Sequence, residues 1–352
     1  MLDVHVHLRD GFQSAKETIL HGIRSGSAAM ITSFFDMPNT VVPLTSAAAI
    51  TERLAHGNRV ASEVSRQVGK DIFYGVYGGV SADPRQLAEM VDLYRREQHL
   101  VALKMFAGHS TGNMGLTGQD MQQRVYDALA EHGYDGVLAV HCEKESLLHP
   151  ELYSRADPAS HGRARPAEAE IASVADQIAF ARQSGFRGTL HVCHISTAKA
   201  IALVREARKD GMRVTCGATA HHALLSESVA GRPGNLLKMN PPLRGESDRL
   251  AVFAGLCDGS VDWIESDHAP HTLQDKEEGA SGIPGFAGTL LLIRTLRAAG
   301  VSEEQLRRLC GERACAIYGL DLPVTVPSES QIEEALPTLR AAYPWDPFDS
   351  IA

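Results

Sequence analysis

Two histidines one residue apart are the first side chains in the sequence with metal-binding chemistry. His5 and His7 lie in an apolar stretch at residues 3–8. Alternate residues of an extended chain share a face, so the two imidazoles project side by side while Val4 and Val6 point the other way. Neutral imidazole is the commonest protein ligand for zinc. The pattern predicts a two-histidine platform for a divalent cation, unless the spacing is incidental and no other strand supplies ligands.

Further side chains that can bind metals follow other apolar segments. They are Lys104, His141, His194 and Asp267. Taken singly, a buried histidine is usually a hydrogen-bonded core residue, a lysine can extend its head to a carboxylate, and an aspartate can cap a turn. With His5 and His7, however, they give six metal-competent groups at corresponding places on five predicted strands. This coincidence predicts a metal centre.

Lys104 requires a separate argument, because a protonated ammonium has no lone pair and is repelled by a dication. Two nearby cations favour the neutral amine, which can capture carbon dioxide and form an anionic carbamate. A carboxylated Lys104 would bridge two metal ions. Two dications, the carbamate, Asp267 and a bridging hydroxide together leave a net charge of about +1, which suits an anionic substrate.

The elements that must position these groups alternate along the chain. The predicted strands are residues 2–8, 28–37, 71–80, 100–106, 136–143, 188–196, 213–220 and 261–269. Amphipathic segments typical of helices include residues 87–98, 118–132, 167–184, 197–210 and 247–257. Eight alternating units predict an α/β fold, a (β/α)8 TIM barrel. The alternative, an open doubly wound sheet, needs a glycine-rich phosphate loop after its first strand, and residues 8–11 do not form one.

The barrel is expected to span residues 1–320. A loop at residues 279–288 follows the eighth predicted strand, and helices are predicted at residues 289–299 and 302–316. The remaining segment, residues 321–352, contains five prolines and one helix-like piece at residues 331–342. We expect it to be a C-terminal tail that packs on the barrel and not a second domain.

Composition narrows the class of protein. The 352 residues carry a net charge of −9, which argues against nucleic acid as a partner. No apolar run approaches the ~18 residues of a membrane helix. The N-terminal residues do not show the pattern of a signal peptide, which is a basic segment followed by an apolar core. Residues with catalytic chemistry already begin at His5. The six cysteines include no Cys-x-x-Cys pair, which favours reduced, mostly buried thiols in a cytoplasmic protein.

Several short motifs of this sequence occur together in one known enzyme family. They are DVHVHLR at residues 3–9, DMPNT at 36–40, LKM at 103–105, HVCHIS at 191–196, KMNPPLR at 238–244 and ESDHAPHT at 265–272. Their order, from residue 3 to about residue 320, resembles that of the dihydroorotases in the amidohydrolase superfamily. The combination is far more specific than His-x-His alone. The resemblance implies a barrel of the metal-dependent amidohydrolase type.

The resemblance also implies a role for each metal-binding group. It assigns a first zinc ion to His5, His7, Lys104 and Asp267. It assigns a second zinc ion to carboxylated Lys104, His141 and His194. A hydroxide between the two ions would attack a cyclic amide, and Asp267 would take its proton and return it to the leaving nitrogen. The implied reaction interconverts N-carbamoyl-L-aspartate and (S)-dihydroorotate in de novo pyrimidine (UMP) biosynthesis.

Other positions match family residues that bind the substrate. Arg9 lies two residues beyond His7 with the same strand parity, which places its guanidinium to contact the carboxylate of dihydroorotate. The remaining matches are Asn39, Asn240, His271, Thr111, Ser281 and Gly282. Without the family context, Arg9 would be a surface arginine, His271 a loop histidine and the asparagines turn residues beside prolines. Residues 108–115 resemble a flap that closes over the substrate; an ordinary flexible loop is the alternative.

The sequence also departs from the family pattern. Many relatives have flanking segments that pair into a small β-sandwich, and their absence here predicts a compact, barrel-only form. Some relatives carry a glutamate at the position of Gly217. Without it a third metal held partly by Cys193 is not expected, so Cys193 is interpreted as structural. Strand parity turns Glu265 inward together with Asp267. We interpret Glu265 as the partner of a cation such as Lys238.

Two other functions stay open. A hydantoinase or allantoinase shares the metal ligands, but its substrates carry no ring carboxylate to meet Arg9. A catalytically silent barrel that supports a partner enzyme would normally have lost a ligand, whereas this sequence has all six. The expected partner is therefore a small-molecule substrate, with no membrane contact. Homo-oligomers and complexes with other pyrimidine-pathway enzymes are not excluded.

Overall fold

Eight parallel strands form a nearly closed barrel in the computed structural model, which describes residues 1–110, 112–231, 234–349 and 351. The strands are β1 Leu2–Val6, β2 Ser33–Asp36, β3 Phe73–Gly79, β4 Leu100–Ala107, β5 Val137–Cys142, β6 Thr189–Val192, β7 Val214–Ala218 and β8 Trp263–Ile264. Spatial neighbours follow the chain order from β1 to β8. A bridge between Val6 and His268 joins the last strand segment to the first. The predicted barrel is confirmed, and the open-sheet alternative is wrong.

Helices cover the outside of the barrel. They are α1 Ile19–Ala28, α2 Ala47–Val68, α3 Pro84–Tyr94, α4 Gln119–Glu131, α5 Ser160–Ala164, α6 Ala167–Gln183, α7 Ala198–Lys209, α8 Ala220–Leu224, α9 Glu246–Asp258, α10 Leu273–Glu277, α11 Phe286–Ala298, α12 Glu303–Arg307, α13 Arg313–Tyr318 and α14 Glu329–Ala341. Hydroxyl caps mark several of their starts: the side chains of Thr18, Ser46 and Thr197 accept hydrogen bonds from the first turns of α1, α2 and α7. Because helices cover the strands, β1, β4 and β5 are buried along their whole length.

The first strand does not alternate as simply as its sequence suggests. A register shift between Asp3 and Val6 interrupts its pairing with β2. As a result Val4 and Val6 pack in two different hydrophobic clusters and not on one shared face. The rings of His5 and His7 nevertheless lie side by side, with centroids 5.2 Å apart.

Strands β6 and β8 are much shorter than the predicted residues 188–196 and 261–269. The backbone leaves the extended region at His194, where φ is 36°, and at Asp267, where φ is 46°. A left-handed conformation strains residues other than glycine, and within the described residues only Met30 shares it. Both strained residues are predicted metal ligands, so the two strands end where the predicted chemistry begins.

The C-terminal segment lies against the barrel. Helix α14 packs on α11 and α1, and its Ile332 and Leu339 are buried. Beyond it, the Tyr343 hydroxyl donates to the Glu17 carboxylate at 2.7 Å. Phe348 is fully buried and fills the space beside Gly288, where any side chain would meet its ring. The domain boundary at residue 320 itself stays a prediction.

Two expectations from composition can be compared with the fold. The six cysteines form no disulfide, and five of them are buried. Within the described part of the chain, no helix has the length and apolar character that crossing a membrane requires.

Candidate active site

The carboxyl ends of five strands bring the six predicted metal-binding groups into one buried cluster. The groups are His5 and His7 from β1 and the residue after its end, Lys104 from β4, His141 from β5, His194 after β6 and Asp267 after β8. None of the six is more than 8% exposed. In a barrel of this type, the carboxyl ends of the strands are where active sites form.

His5, His7 and Asp267 form one group within the cluster. Their candidate ligand atoms all lie within 4.8 Å of one another. An Asp267 oxygen is 3.0 Å from Nε2 of His7 and 3.4 Å from Nε2 of His5. Nδ1 of His7 lies 2.9 Å from Oδ1 of Asn39 and, in the tautomer that metal binding requires, donates its proton there. A neutral His7 therefore turns a bare lone pair towards the Asp267 carboxylate, an arrangement that a cation between them would stabilise.

His141 and His194 form a neighbouring pair. Nδ1 of His141 is 3.1 Å from Nε2 of His194, and their ring centroids are 4.8 Å apart. The ring of His5 lies 5.2 Å from that of His194, which connects this pair to the first group. Nδ1 of His194 is buried and has no hydrogen-bond partner in the described chain.

Lys104 is fully buried beside these histidines. Its ammonium donates to Sγ of Cys193 at 3.0 Å and has no ion pair with a carboxylate among the described residues. Burial by itself raises the pKa of the Cys193 thiol, but the Lys104 charge and the interaction with His191 bring it down to about 5. Cys193, interpreted from sequence as structural, therefore contacts the site. It also lies within 4.8 Å of candidate ligand atoms of His5 and Glu265.

The electrostatic environment suits cations. Burial lowers the pKa of His7 to about 4 and lowers those of His141 and His194 as well, so all three present neutral imidazoles at pH 7. For Asp267, burial raises the pKa, but the charge of His5 and the contact with His7 hold it well below its usual range. His5 is the exception, because Asp267 and Cys193 outweigh burial and Lys104 and raise its pKa to about 10. The negative groups beside His5 thus favour a positive charge there, which a metal ion bound to neutral His5 would supply in place of the proton.

Two buried glutamates support the histidines from behind. Glu143 accepts from Nε2 of His141 at 2.9 Å and from Nε of Arg165 at 2.9 Å, which leaves Nδ1 of His141 facing the site. Glu265 accepts from Nε2 of His191 at 3.1 Å and from the backbone N–H of His194. Such partners fix the tautomer and orientation of imidazole ligands.

Glu265 pairs with groups that can carry a positive charge, His191 and His5, as expected, but not with Lys238, the example that was named. Lys238 donates instead to the Gly279 carbonyl at 2.7 Å and to Oγ of Ser281 at 2.9 Å. Strand parity does turn Glu265 inward, as predicted. Its carboxylate occupies the space that a side chain at Gly217 would fill, so the glycine in β7 makes room for it. The contact of Glu265 with His191 depends on the register between β6, β7 and β8. The alternation of side chains along β8 alone cannot predict it.

Arg9 is the most unusual residue of the predicted substrate set. It is only 6% exposed, its buried Nε has no hydrogen-bond partner, and no ion pair joins it to any described residue. Its charge lowers the pKa of both His7 and His271, which places it near the metal-binding cluster and the rim. Burial lowers the pKa of Arg9, and the carboxylates of Glu17, Asp36 and Asp267 oppose this without forming an ion pair with it. A negatively charged ligand in direct contact would therefore stabilise this position.

The segment after β8 contributes His271, Ser281 and Gly282. Nε2 of His271 donates to the Ser281 carbonyl at 3.0 Å, and its Nδ1 accepts from Lys16 at 3.2 Å. Burial, Arg9 and Lys16 lower the pKa of His271 to about 2. The Gly282 N–H donates to the Lys238 carbonyl at 2.9 Å, so it is already used within the protein. The carbonyls of Ser281 and Gly282 accept from His271 and Lys276, and each keeps a second lone pair.

Lys276 holds this segment in place. Its ammonium is buried and donates to three carbonyl oxygens, those of Lys238 at 2.8 Å, Ala280 at 2.9 Å and Gly282 at 2.8 Å. Sequence reasoning missed this residue, because a lysine between acidic residues in 273–278 is typical of a solvated helix face.

Asn39 and Asn240 both lie at the site, while Thr111 falls outside the described residues. Asn39 contacts His7, as noted above. Oδ1 of Asn240 lies 3.0 Å from Nε2 of His161 and 3.2 Å from Oγ of Ser281. The proposed flap at residues 108–115 therefore stays a prediction.

His221 is a further site residue that the sequence analysis missed. It follows β7, is 1% exposed, and neither of its ring nitrogens has a partner among the described residues. Burial lowers its pKa to about 4, against the opposing charges of Asp267 and Glu265. The signal was available: the His221–His222 pair directly follows a predicted strand, at the same position as the other ligands.

Dihydroorotases are among the known proteins that this chain resembles in sequence. No protein-family model matches the sequence. A dihydroorotase of Halobacterium salinarum is 32% identical over 329 residues, covering 91% of this chain and 72% of the relative. A dihydroorotase of Lactiplantibacillus plantarum is 32% identical over 332 residues, with the same coverages of 91% and 72%.

Solved structures show a similar fold. An L-hydantoinase (dihydropyrimidinase) from Arthrobacter aurescens has a TM-score of 0.78 at 22% identity, covering 90% of this chain and 70% of that one. A dihydropyrimidinase from Brevibacillus agri has a TM-score of 0.76 at 22% identity, covering 91% and 70%. At these identities the likeness concerns the barrel and carries no information about substrate.

Proposed function

From the premise that this chain belongs to the dihydroorotase family, hydrolases that act on cyclic amides, we propose that it interconverts N-carbamoyl-L-aspartate and (S)-dihydroorotate in pyrimidine (UMP) biosynthesis. The observation that carries the choice of substrate is the buried, unpaired guanidinium of Arg9. Dihydroorotate has a ring carboxylate that this group can bind through two parallel hydrogen bonds.

We further propose that the site holds two zinc ions. The support is the donor set: one group of His5, His7 and Asp267 within 4.8 Å, and beside it the neutral His141–His194 pair. Carboxylation would convert buried Lys104 into an anionic bridge between the groups. When bound, divalent cations lower the pKa of water and polarise an amide carbonyl.

The residues of the chain itself would bind, orient and move a proton. Asp267 is ionised at neutral pH, and it lies 3.0 Å from His7 within the cluster, where it would accept a proton and return it to the leaving nitrogen. Arg9 and Asn240 would fix the ring carboxylate, and the second lone pairs of the Ser281 and Gly282 carbonyls would accept the ring N–H. Their combined effect is to hold the amide carbon against the cluster.

No specific observation favours the alternatives. Hydantoins and allantoin have no ring carboxylate and would leave Arg9 buried without an ion-pair partner. A silent scaffold would not need the convergence of six ligating groups in one buried cluster. We also propose a cytoplasmic enzyme; self-association or association with other enzymes of the same pathway is compatible with this proposal.

One preparation tests the proposal. Bound metal is quantified on a sample that is also assayed with dihydroorotate, hydantoin and allantoin, before and after treatment with a chelator. We expect about two zinc ions per chain, preference for dihydroorotate, and activity that disappears with the metal and returns on adding zinc. Faster opening of hydantoin or allantoin would contradict the substrate, and full activity without metal would contradict the zinc centre.

A further inference from the structure

The side-chain oxygen of Asn240 is held by hydrogen bonds to two residues, His161 and Ser281. The sequence analysis did not predict either contact. His161, on the short helix α5, reaches Oδ1 of Asn240 with Nε2 at 3.0 Å. The same nitrogen lies 2.9 Å from the Met239 carbonyl. On the other side, Oγ of Ser281 lies 3.2 Å from Oδ1 of Asn240.

The sense of these hydrogen bonds can be deduced. A backbone carbonyl only accepts, so Nε2 of His161 must carry the proton that faces Met239. The same N–H then requires an acceptor on Asn240. His161 is neutral at pH 7, because burial and the charge of Lys238 lower its pKa to about 3. One proton is therefore available, and the Met239 carbonyl holds it on Nε2.

The Ser281 hydroxyl gives the same answer independently. It accepts from the Lys238 ammonium at 2.9 Å, which leaves its own proton free to donate. That proton is directed at Asn240. Two donors thus converge on one atom of the Asn240 amide, and this atom must be the oxygen. The amide nitrogen is turned the other way, with no hydrogen bond to the described residues.

We propose that His161 is a positioning residue that determines hydrogen-bond specificity: it locks Asn240 so that N–H donors, and not a carbonyl, face the substrate. The inference rests on the proposed function, in which Asn240 contacts the substrate. A pocket that presents donors selects an acceptor, such as the ring carboxylate or a ring carbonyl, and disfavours a substrate with an N–H at that point.

The surroundings of His161 suit this role. Its ring packs edge-on against Tyr153, with centroids 5.6 Å apart, which limits its rotation. It also lies on the wall of a cavity of about 360 Å³, together with Lys238 and Leu243. Replacement of His161 therefore does not require a tightly packed core to rearrange.

The test compares His161→Leu, which cannot donate, with His161→Gln, whose amide nitrogen can replace Nε2 as a donor. We expect His161→Leu to raise KM for dihydroorotate roughly tenfold with kcat nearly unchanged. His161→Gln should restore most of the loss. His149→Leu, an exposed histidine outside the site, serves as the matched control and should behave like the parent protein.

Two Asn240 variants separate positioning from general packing. In an Asn240→Ala background, His161→Leu should change KM by a further factor of less than about two, because the amide that His161 positions is no longer present. Asn240→Asp should be worse than Asn240→Ala, because its second oxygen would face the substrate carboxylate. An undiminished effect of His161→Leu in the alanine background, or an active Asn240→Asp enzyme, would overturn the inference.

Failure of this inference and failure of the proposed function have different signatures. If the parent protein does not turn over dihydroorotate, the function is wrong. If the parent is active and His161→Leu has the parent's KM, only the role of His161 is wrong. Melting temperatures identify a variant that does not fold, in which case the His161→Gln and Asn240→Asp variants decide.

Discussion

Two sets of charged side chains support the candidate site, one behind the metal-binding cluster and one behind the predicted substrate residues. Behind the cluster lie the carboxylates Glu143 and Glu265, which accept from His141 and His191. Behind the substrate residues lie three ammonium groups, those of Lys16, Lys238 and Lys276, which donate to His271, to Ser281 and to backbone carbonyls. The two halves of one site are thus positioned by groups of opposite charge.

The difference follows from what each half must hold. Cations require negative charge nearby, and carboxylates behind the imidazoles supply it while fixing ring orientation. An anionic ring requires positive potential, and the ammonium groups of Lys16, Lys238 and the buried Lys276 supply it while using their donors to hold a loop. Each supporting group therefore both positions its neighbours and complements the expected ligand. The exceptions are informative, since neither Arg9 nor Lys104 forms an ion pair with a carboxylate among the described residues.

The largest expected effect comes from replacing the buried lysine of the metal-binding cluster. Lys104→Met keeps the length of the side chain but cannot form a carbamate, so both metal retention and catalysis should fail. We expect kcat/KM to fall by at least about 10³-fold, with bound zinc much reduced in elemental analysis of the purified variant. A metal-loaded, fully active Lys104→Met enzyme would show that this lysine is not a bridge.

The next largest effect is expected at Arg9, on the substrate side. Arg9→Met removes the group that meets the ring carboxylate, and loss of one partner of a buried ion pair typically lowers binding by about 100-fold. KM for dihydroorotate should carry most of the loss, while zinc content stays at the parent level. Steady-state kinetics and metal analysis on the same sample provide the measurement. An unchanged kcat/KM would remove Arg9 from the substrate pocket.

Lys276→Met distinguishes the two halves most directly, because it is the same substitution as Lys104→Met made in the substrate half. Three carbonyls lose the donor that Lys276 supplies, so the segment carrying Ser281 and Gly282 should loosen and KM should rise about tenfold. Bound zinc should remain. Lys209→Met, on an exposed lysine, is the control. Loss of zinc in Lys276→Met would mean that the two halves are not supported separately.

The smallest effect concerns stability against pH. Burial lowers the folded-state pKa of His161 to about 3 and, together with Arg9 and Lys16, that of His271 to about 2. The unfolded chain binds these protons below about pH 6.5 and the folded chain does not. Their contribution to stability is therefore complete above that pH and decreases as the pH falls. For each of the two histidines, the free energy of unfolding should fall by roughly 1 kcal/mol for every pH unit below about 6.5.

Urea unfolding at pH 7.5 and 5.5 measures this slope, in a range where ordinary carboxylates stay ionised. His161→Gln has no titrating group at this position and should show a smaller slope than the parent. Equal slopes would mean that His161 is protonated in the folded protein, contrary to its hydrogen bonds.

Much of the fold and the identities of the six clustered groups were predictable. Parallel strands in a barrel end on one rim, so His5, Lys104 and His141 converge once each is assigned to a strand end. His194 and Asp267 were predicted for the same reason, although strained backbone and not an extended strand presents them. His221 follows the same rule and was missed because a double histidine after β7 was not counted as a strand-end group.

The supporting residues were not predictable in this way. Glu265 was correctly predicted to point inward, but it was assigned to Lys238. Its actual partner, His191, lies on β6, and the absence of a side chain at Gly217 in β7 leaves room for its carboxylate. Lys276 and His161 lie on short helices whose sequences are typical of exposed segments. Their contacts depend on the positions of loops that are distant in the sequence, since both residues bind to the segment around residues 238–240.

The sequence by itself determined which side chains can bind cations and an anionic ring, because residue type fixes charge and lone pairs and strand order fixes the rim. Only the tertiary structure decided which atom of each group faces the ligand. That choice depends on whether a donor or an acceptor stands behind Asn240, His7 or His141 at about 3 Å. Hydrogen bonds act over such short distances that only the packed chain can determine their partners.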